Sequence, residues 1–505
     1  MTDNPEAGVR TAPDAIFSSQ SSPDFEPSTP LSLAISALLA LIPHPDDPDP
    51  SGTDSVHLRR EQAQAFAQSA FESIEIESEL PDSTTSPGDA LSSDPNPINR
   101  NQFHAQVSLE TESIIALLLL STYEYAQRGN IAKMRNRAGQ ALNAAINLGL
   151  HSKGDEEGYY AESNRRVWWM TYITVCQGSI LSNSPLPVLL YDPRFTTLGP
   201  TFAADPEAWT VFLEAQQVIS SSTQFVVELD LVLKSKSNTA TISQRMLELD
   251  SIIEPLVAKA DTWTLESHPP VSLDRSELKV AQALRGIARI KLNSARIKVH
   301  RYCAFSDIPV FTKKHCDLRS TSDTPQVVST PMAPACGCSS TFHQLPSNLS
   351  PSSNSPPPLS NTACAVLPFS SHFSAKICMK SAFAIARSFQ SLPFPQPVRR
   401  NDLMSYFPPM NNTKRPRMIP VFACCAMQSS YAMIMLCYKT RAMGFIGAVS
   451  TEGKDSPSAR LLAQLHEGLQ MVLDALRNYS MAYEALGGMR GAFQQLRVPW
   501  HRVLI

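Results

Sequence analysis

At 505 residues, 43% of them hydrophobic, the chain has the length for two or three domains or for one large helical body with insertions, and enough apolar side chain for a sizeable core. A net charge of -3 and an acidic first hundred residues give no electrostatic argument for nucleic acid or a membrane surface as the main partner. The 40 prolines against 19 glycines are clustered, which indicates Pro-rich segments set into a folded body.

In chain order, residues 1–30 are polar with Pro and Ser throughout and read as a disordered segment. The apolar run LSLAISALLALI at 31–42 is too short to span a bilayer, and the acidic, Pro-rich residues before it are unlike a signal peptide. An intracellular protein is therefore expected, without membrane contact and with its ten cysteines as free thiols. Pro43 and Pro45 stop this first helix. Residues 56–80 repeat Ala63, Phe66, Ala67, Ala70, Phe71 and Ile74 at helical period, and 81–101 is a Ser/Pro/Asp-rich loop. FESIEIESELPD at 71–82 mixes acids and apolar residues as activation segments do, but reads as the end of that amphipathic helix.

IIALLLLSTYEYA within 109–127 reads as a core helix. Residues 131–150 place Ala138, Ala141, Leu142, Ala145, Ile146 and Leu148 on one face, with Gly149 where a helix would terminate. Only RGN separates the two helices, so they should pack antiparallel. Next comes the stretch around which the chain is expected to be organised. Trp169, Ile173, Cys176 and Ile180 line one helical face, and Trp168, Tyr172 and Val175 an adjacent one. A helix apolar on both faces must be surrounded by other elements. Ser163 and Asn164 are its candidate caps, and Pro185 should end it near residues 182–184. PLPVLLYDPRFTTLGP then reads as a rigid proline loop.

Residues 206–233 form a further helix, with Asp205 as cap, Pro206 at its first position and Trp209 on its apolar face. Helices at 242–263 and 278–302 follow. Residues 312–371 turn Ser- and Pro-rich, 375–392 return to helix, 393–420 are irregular, 419–440 are apolar and Met-rich, and 459–486 are amphipathic. No segment alternates with period two, so the fold class is all-α. The division is a disordered segment 1–30, a helical domain 31–311 with its loop 81–101, a linker or insertion 312–372, C-terminal helices 373–493 on the same body with an irregular insertion 393–420, and a tail 494–505.

Three pieces in order, ALNAAINLGLH at 141–151, RRVWWMTYI at 165–173 and SILSNSPLPVLLYDPRF at 179–195, carry a family resemblance. Together they resemble the regulatory, or middle homology, region of the fungal zinc-cluster transcription factors. That family has a helix ending in AQxLGLH, an Arg-rich start to a WW helix, and a serine-rich turn leading to a proline and an acidic residue. The resemblance runs from about residue 31 to about 233, and residues 295–311 and 422–439 look like later helices of the same region. It implies a nuclear, non-enzymatic regulator of transcription that could shuttle with the cytoplasm. Control would run through a small-molecule inducer, a corepressor, or a homo- or heterodimer with a related factor. Arg165, Arg166, Trp168, Trp169, Pro185, Asp192 and Trp209 are its family-motif and core positions here.

The family's DNA-binding module holds two zinc ions with six cysteines in two Cys-x-x-Cys pairs, and this sequence has no Cys-x-x-Cys. Cys336 and Cys338 are one residue apart, Cys424 and Cys425 are adjacent, and His315–Cys316 has no partner pair at ligand spacing. No cofactor is expected in this chain, and zinc only in an upstream cluster. DNA contact is expected indirectly or through such a missing N-terminal domain. Arg285, Arg289, Arg296, Lys298 and Arg301 form a basic stripe that reads as a solvated helix face. Lys414, Arg415 and Arg417 in KRPR form a candidate nuclear import signal. Asp46, Asp47 and Asp49 raise a magnesium site, but the interleaved prolines prevent the helix it would need, so an acidic turn is expected. His151 and His300 are isolated and read as cap or surface residues. The alternatives are an all-α enzyme of lipid or isoprenoid metabolism, for which no carboxylate cluster is found, and a helical interaction scaffold.

Overall fold

The computed structural model describes residues 26–44, 47–80, 83–90, 98–235, 239–262, 275–308, 367–392, 420, 422–447 and 456–488. Among these the regular structure is helical and there is no strand, so the fold is all-α. The longer helices are α1 (Pro30–Leu39), α2 (Thr53–Ser78), α4 (Leu109–Ala126), α5 (Ile131–Asn147), α6 (Ala161–Ser182), α7 (Ala208–Ser235), α8 (Ala240–Thr262), α9 (Arg275–Phe305), α10 (Ser371–Ser391), α11 (Ala423–Gly447) and α12 (Pro457–Ser480). A single turn, α3 (Pro87–Ala90), interrupts the loop expected at 81–101, and a 3-10 turn covers Leu150–Ser152. Residues 1–25, 309–366, 393–419 and 489–505 lie outside the described residues, and with them most of the expected disordered segments, the tail, Lys414, Arg415 and Arg417.

Local chemistry sets the helix ends. Thr29 and Ser32 cap α1 reciprocally, at 3.0 and 2.9 Å, with Pro30 at its first position. Asn130 caps α5 by accepting the Lys133 N–H at 3.0 Å. Gly149, at φ 65°, turns the chain out of α5. Two starts differ from expectation. α6 begins at Ala161, so Ser163 and Asn164 lie in its first turn, and the Ser163 hydroxyl donates to the Tyr160 carbonyl at 2.9 Å. α7 begins at Ala208 rather than Pro206; the Asp205 carboxylate accepts the Glu207 N–H at 3.2 Å just ahead of it and also receives Arg285.

α1 packs on α2 and α4, α4 on α5, and α5 on α6. The C-terminal half is built on α9, which touches α7, α8, α10 and α11, and α12 closes on α10 and α11. One continuous core joins all of them. α6 is enclosed as its two apolar faces require, with every residue from Thr171 to Ile180 buried. It shares the organising role with α9, which the apolar pattern alone did not single out.

The expected solvated stripe on α9 is corrected. Arg285, Lys298 and Arg301 are only 5%, 3% and 3% exposed, and Lys291 is 1% exposed. With helices packed around α9, these cations find partners inside. Arg285 Nε and Nη2 each donate to Asp205 at 2.8 Å. Lys291 Nζ donates to Gln216 Oε1 and, at 3.3 Å, to Gln177 Oε1. The Gln428 amide lies 2.8 Å from Lys298 Nζ. His300, expected as a cap or surface residue, is fully buried, 2.9 Å from Asp250 Oδ1 and 3.2 Å from Ser374 Oγ.

Candidate functional site

The three motif pieces fold onto one another. α6 ends at Ser182, and Asn183 takes the left-handed conformation at φ 49°, a position that asparagine tolerates better than most residues. Pro185 then forbids continuation, and the loop 185–195 runs back beside α6. The Tyr172 hydroxyl, on α6, donates to the Leu190 carbonyl at 2.9 Å, and Gln217 Nε2, on α7, donates to the same oxygen at 3.2 Å. Phe195 inserts its ring among Trp168 at 4.9 Å, Tyr172 at 6.1 Å and His151 at 6.5 Å. Beyond it, Thr197 Oγ1 donates to the Leu150 carbonyl at 2.6 Å and accepts the Lys153 N–H at 2.9 Å. The end of α5, the tryptophan helix and the proline loop thus form one packed unit.

The motif residues divide within it. Trp168 is fully buried. Trp169 is half-buried and its Nε1 donates to the Leu198 carbonyl at 2.9 Å. Arg165 donates to the Glu156 carbonyl at 2.9 Å. Arg166 pairs with Glu162 at 2.8 Å and lies over the Phe202 ring, 5.0 Å from its centroid. Both arginines therefore pin the start of α6, and neither lines the cavities that the loop frames. Trp209 packs between Phe202 and Phe212, each ring 6.0 Å away, as core of α7.

Pro185 and Asp192 instead frame cavities. A half-open cleft of about 700 Å³ lies between α5, α6 and the loop, with Leu142, Val175, Val188 and Phe195 as apolar walls and Arg135, Asp192 and Arg194 as its charged groups. A second cleft of about 330 Å³ lies on the other side of the loop, between Pro185, the end of α6 and the α7 residues Ser220, Thr223 and Val227. Ser179 and Leu186 line both. Asp192 is clamped by Arg194, which donates its backbone N–H at 2.9 Å, Nε at 3.0 and 3.2 Å, and Nη2 at 2.7 Å. These hydrogen bonds hold the Asp192 carboxyl down at about 2. Burial pushes Tyr172 up, and Cys176 up to about 12, so the wall behind the loop stays uncharged at neutral pH.

Asp192 and Pro185 were legible in the motif. Arg135, Gly139, Gly178 and Arg194 were not. Their signals were the glycines interrupting two otherwise well-formed helices and the Asp-Pro-Arg spacing.

A second polar centre lies deeper. Gln177 joins Lys291 to Cys424, its Nε2 3.6 Å from the sulfur. A hydrogen bond with Cys425 and the nearby Lys298 and Lys291 charges hold the Cys424 thiol below its ordinary range, and the same bond pushes Cys425 up. Burial pushes the Lys291 ammonium down. Ser374, His300 and Asp250 form a hydrogen-bonded line of nucleophile, base and carboxylate type, but Ser374 and His300 are fully buried and belong to neither cleft. Among the described residues no group of three or more His, Cys, Asp or Glu is placed to hold a metal ion, and no helix is long and apolar enough to cross a membrane.

No protein-family model, curated protein or solved structure matches this chain.

Proposed function

We propose that the chain is the helical regulatory domain of a transcription regulator of the fungal zinc-cluster type, acting in the nucleus and without a catalytic step. The observation that carries this reading is the packed unit of the three motif pieces. The 141–151 end, the 165–173 helix and the 179–195 loop meet through His151, Trp168, Tyr172 and Phe195, and the loop frames two clefts. In this reading the loop and the helices it touches form a two-state element whose balance an effector shifts by binding one state better. The effector is a small-molecule inducer, and a related factor is the dimer partner. Contact with DNA runs through that partner or through a further N-terminal domain carrying the zinc cluster.

The test is chromatin crosslinking in cells expressing the tagged chain at native level. Recovery of DNA at discrete promoters is expected. Recovery no different from an untagged control contradicts the reading. Import is tested separately with a fluorescent fusion. Lys414→Ala with Arg415→Ala and Arg417→Ala should shift it from nucleus to cytoplasm, and an unchanged nuclear signal removes KRPR from the proposal.

A further inference from the structure

We propose that the larger cleft binds a small amphipathic anion, an apolar body bearing one acidic group that pairs with Arg135. The inference deepens the regulatory reading above by naming the class of its effector.

Three observations carry it. The first is size and lining. A cleft of about 700 Å³ with Leu142, Val175, Val188 and Phe195 as walls suits an apolar body of drug-like size. Ile146 and Leu189, at its edge, are 39% and 68% exposed, so apolar surface faces water there until something covers it.

The second is charge. Among the described residues Asp192 is the one carboxylate lining the cleft, and Arg194 neutralises it with its guanidinium while its backbone N–H adds a further hydrogen bond. Arg135 makes no hydrogen bond or ion pair among the described residues, so the cleft keeps one uncompensated positive charge. A cation would meet two arginines there. Arg135 is exposed, so a neutral molecule would leave its guanidinium to water and gain nothing from its charge. A monoanion balances the cleft.

The third is shape. Arg135, Gly139, Leu142 and Ile146 recur along α5 at helical spacing and line the cleft together. At Gly139 a Cβ would meet nothing within 4 Å, so the missing side chain deepens the cleft. At Gly178 a Cβ would stand 3.2 Å from Arg135 Cγ, so the glycine lets the arginine stem lie close against α6. Arg135 thus lines the cleft beside the apolar residues that floor it.

The test uses the purified full chain and two fluorescent probes with the same apolar body. One is the anion 1-anilinonaphthalene-8-sulfonate, and the other its neutral counterpart N-phenyl-1-naphthylamine. The anion should bind with one equivalent per chain and about tenfold more tightly, the scale of one partly screened charge-assisted hydrogen bond. Arg135→Met should remove that difference and leave the neutral probe's affinity unchanged. Gly139→Trp should weaken both probes at least tenfold with helical circular dichroism preserved, and Gly139→Leu serves if the tryptophan variant does not fold. Equal affinities for the two probes, or an anion preference that survives Arg135→Met, would overturn the assignment of ligand class. Binding unaltered by either Gly139 variant would overturn the cleft itself. No reporter enters this readout, so a chain that binds the anion and fails to regulate refutes the regulatory reading alone.

Discussion

Trp168 and Trp169 are neighbours in sequence and differ sharply in environment, which makes them a matched pair for a stability test. Trp168 is fully buried, with Phe195 at 4.9 Å, His151 at 5.7 Å and Trp169 at 6.4 Å. Among the described residues its Nε1 has no acceptor, so its contribution comes from burial and ring packing. Truncation of a fully buried aromatic to alanine costs about 3–5 kcal/mol, and with three aromatic neighbours left facing a cavity Trp168→Ala is expected within that range, at about 4 kcal/mol. Trp169 keeps part of its ring in water and holds one hydrogen bond to Leu198. Half the transfer term plus about 1 kcal/mol for that bond gives about 2 kcal/mol for Trp169→Ala. Trp168→Phe keeps most of the packing and sacrifices no hydrogen bond, so about 1–1.5 kcal/mol is expected. Urea unfolding followed by far-ultraviolet circular dichroism reads all three without depending on tryptophan fluorescence. A Trp169→Ala variant as destabilised as Trp168→Ala, or a Trp168→Ala variant within about 1 kcal/mol of the parent chain, would refute the arrangement of the motif unit.

Further expectations concern charge and glycine. Asp205→Ala removes the bidentate partner of a buried guanidinium and should cost about 3–5 kcal/mol, whereas Asp205→Leu combined with Arg285→Met should recover most of that loss in the same urea titration. The Asp192 carboxyl is depressed from 3.8 to about 2 in the folded chain, so its stabilisation is present above the unfolded value and is lost as pH falls through about 2. The stability difference between the parent and Asp192→Asn should therefore hold constant from neutral pH to about 4.5 and shrink below about 4, and a difference that persists at the acid end contradicts the clamp. Gly139→Ala adds a methyl group where nothing lies within 4 Å and should raise stability by about 0.5–1 kcal/mol through helix propensity. Gly178→Ala meets Arg135 Cγ at 3.2 Å and should raise it less, if at all, by calorimetry.

The helices were legible because each spans several turns and carries a core-facing period. Gly149 and Pro185 mark real ends, since each residue's backbone chemistry permits or forbids the conformation locally. The burial of α9 was hidden for a physical reason. A 3.6-residue period reports which side chains share a face, and it cannot report that further helices will cover the other face as well. Arg285, Lys291, Lys298 and His300 look like solvent-facing residues until Asp205, Gln177, Gln216 and Asp250 arrive from distant positions. The same limit applies within the motif. Sequence placed Trp168 and Trp169 on adjacent apolar faces, and only the return of the 185–195 loop decides that Phe195 seals Trp168. Arg135 is the extreme case. On α5 it resembles any exposed arginine, and it becomes one wall of a cleft only because Val188, Asp192 and Phe195 pack opposite it.

The most direct measurement fuses the full chain to an unrelated DNA-binding domain and reads a reporter carrying that domain's site. A regulatory domain predicts output at least severalfold above or below the DNA-binding domain alone, changed again by Gly139→Trp at equal protein level. Output equal to the DNA-binding domain alone for both fusions, with both proteins folded and nuclear, would contradict the regulatory reading.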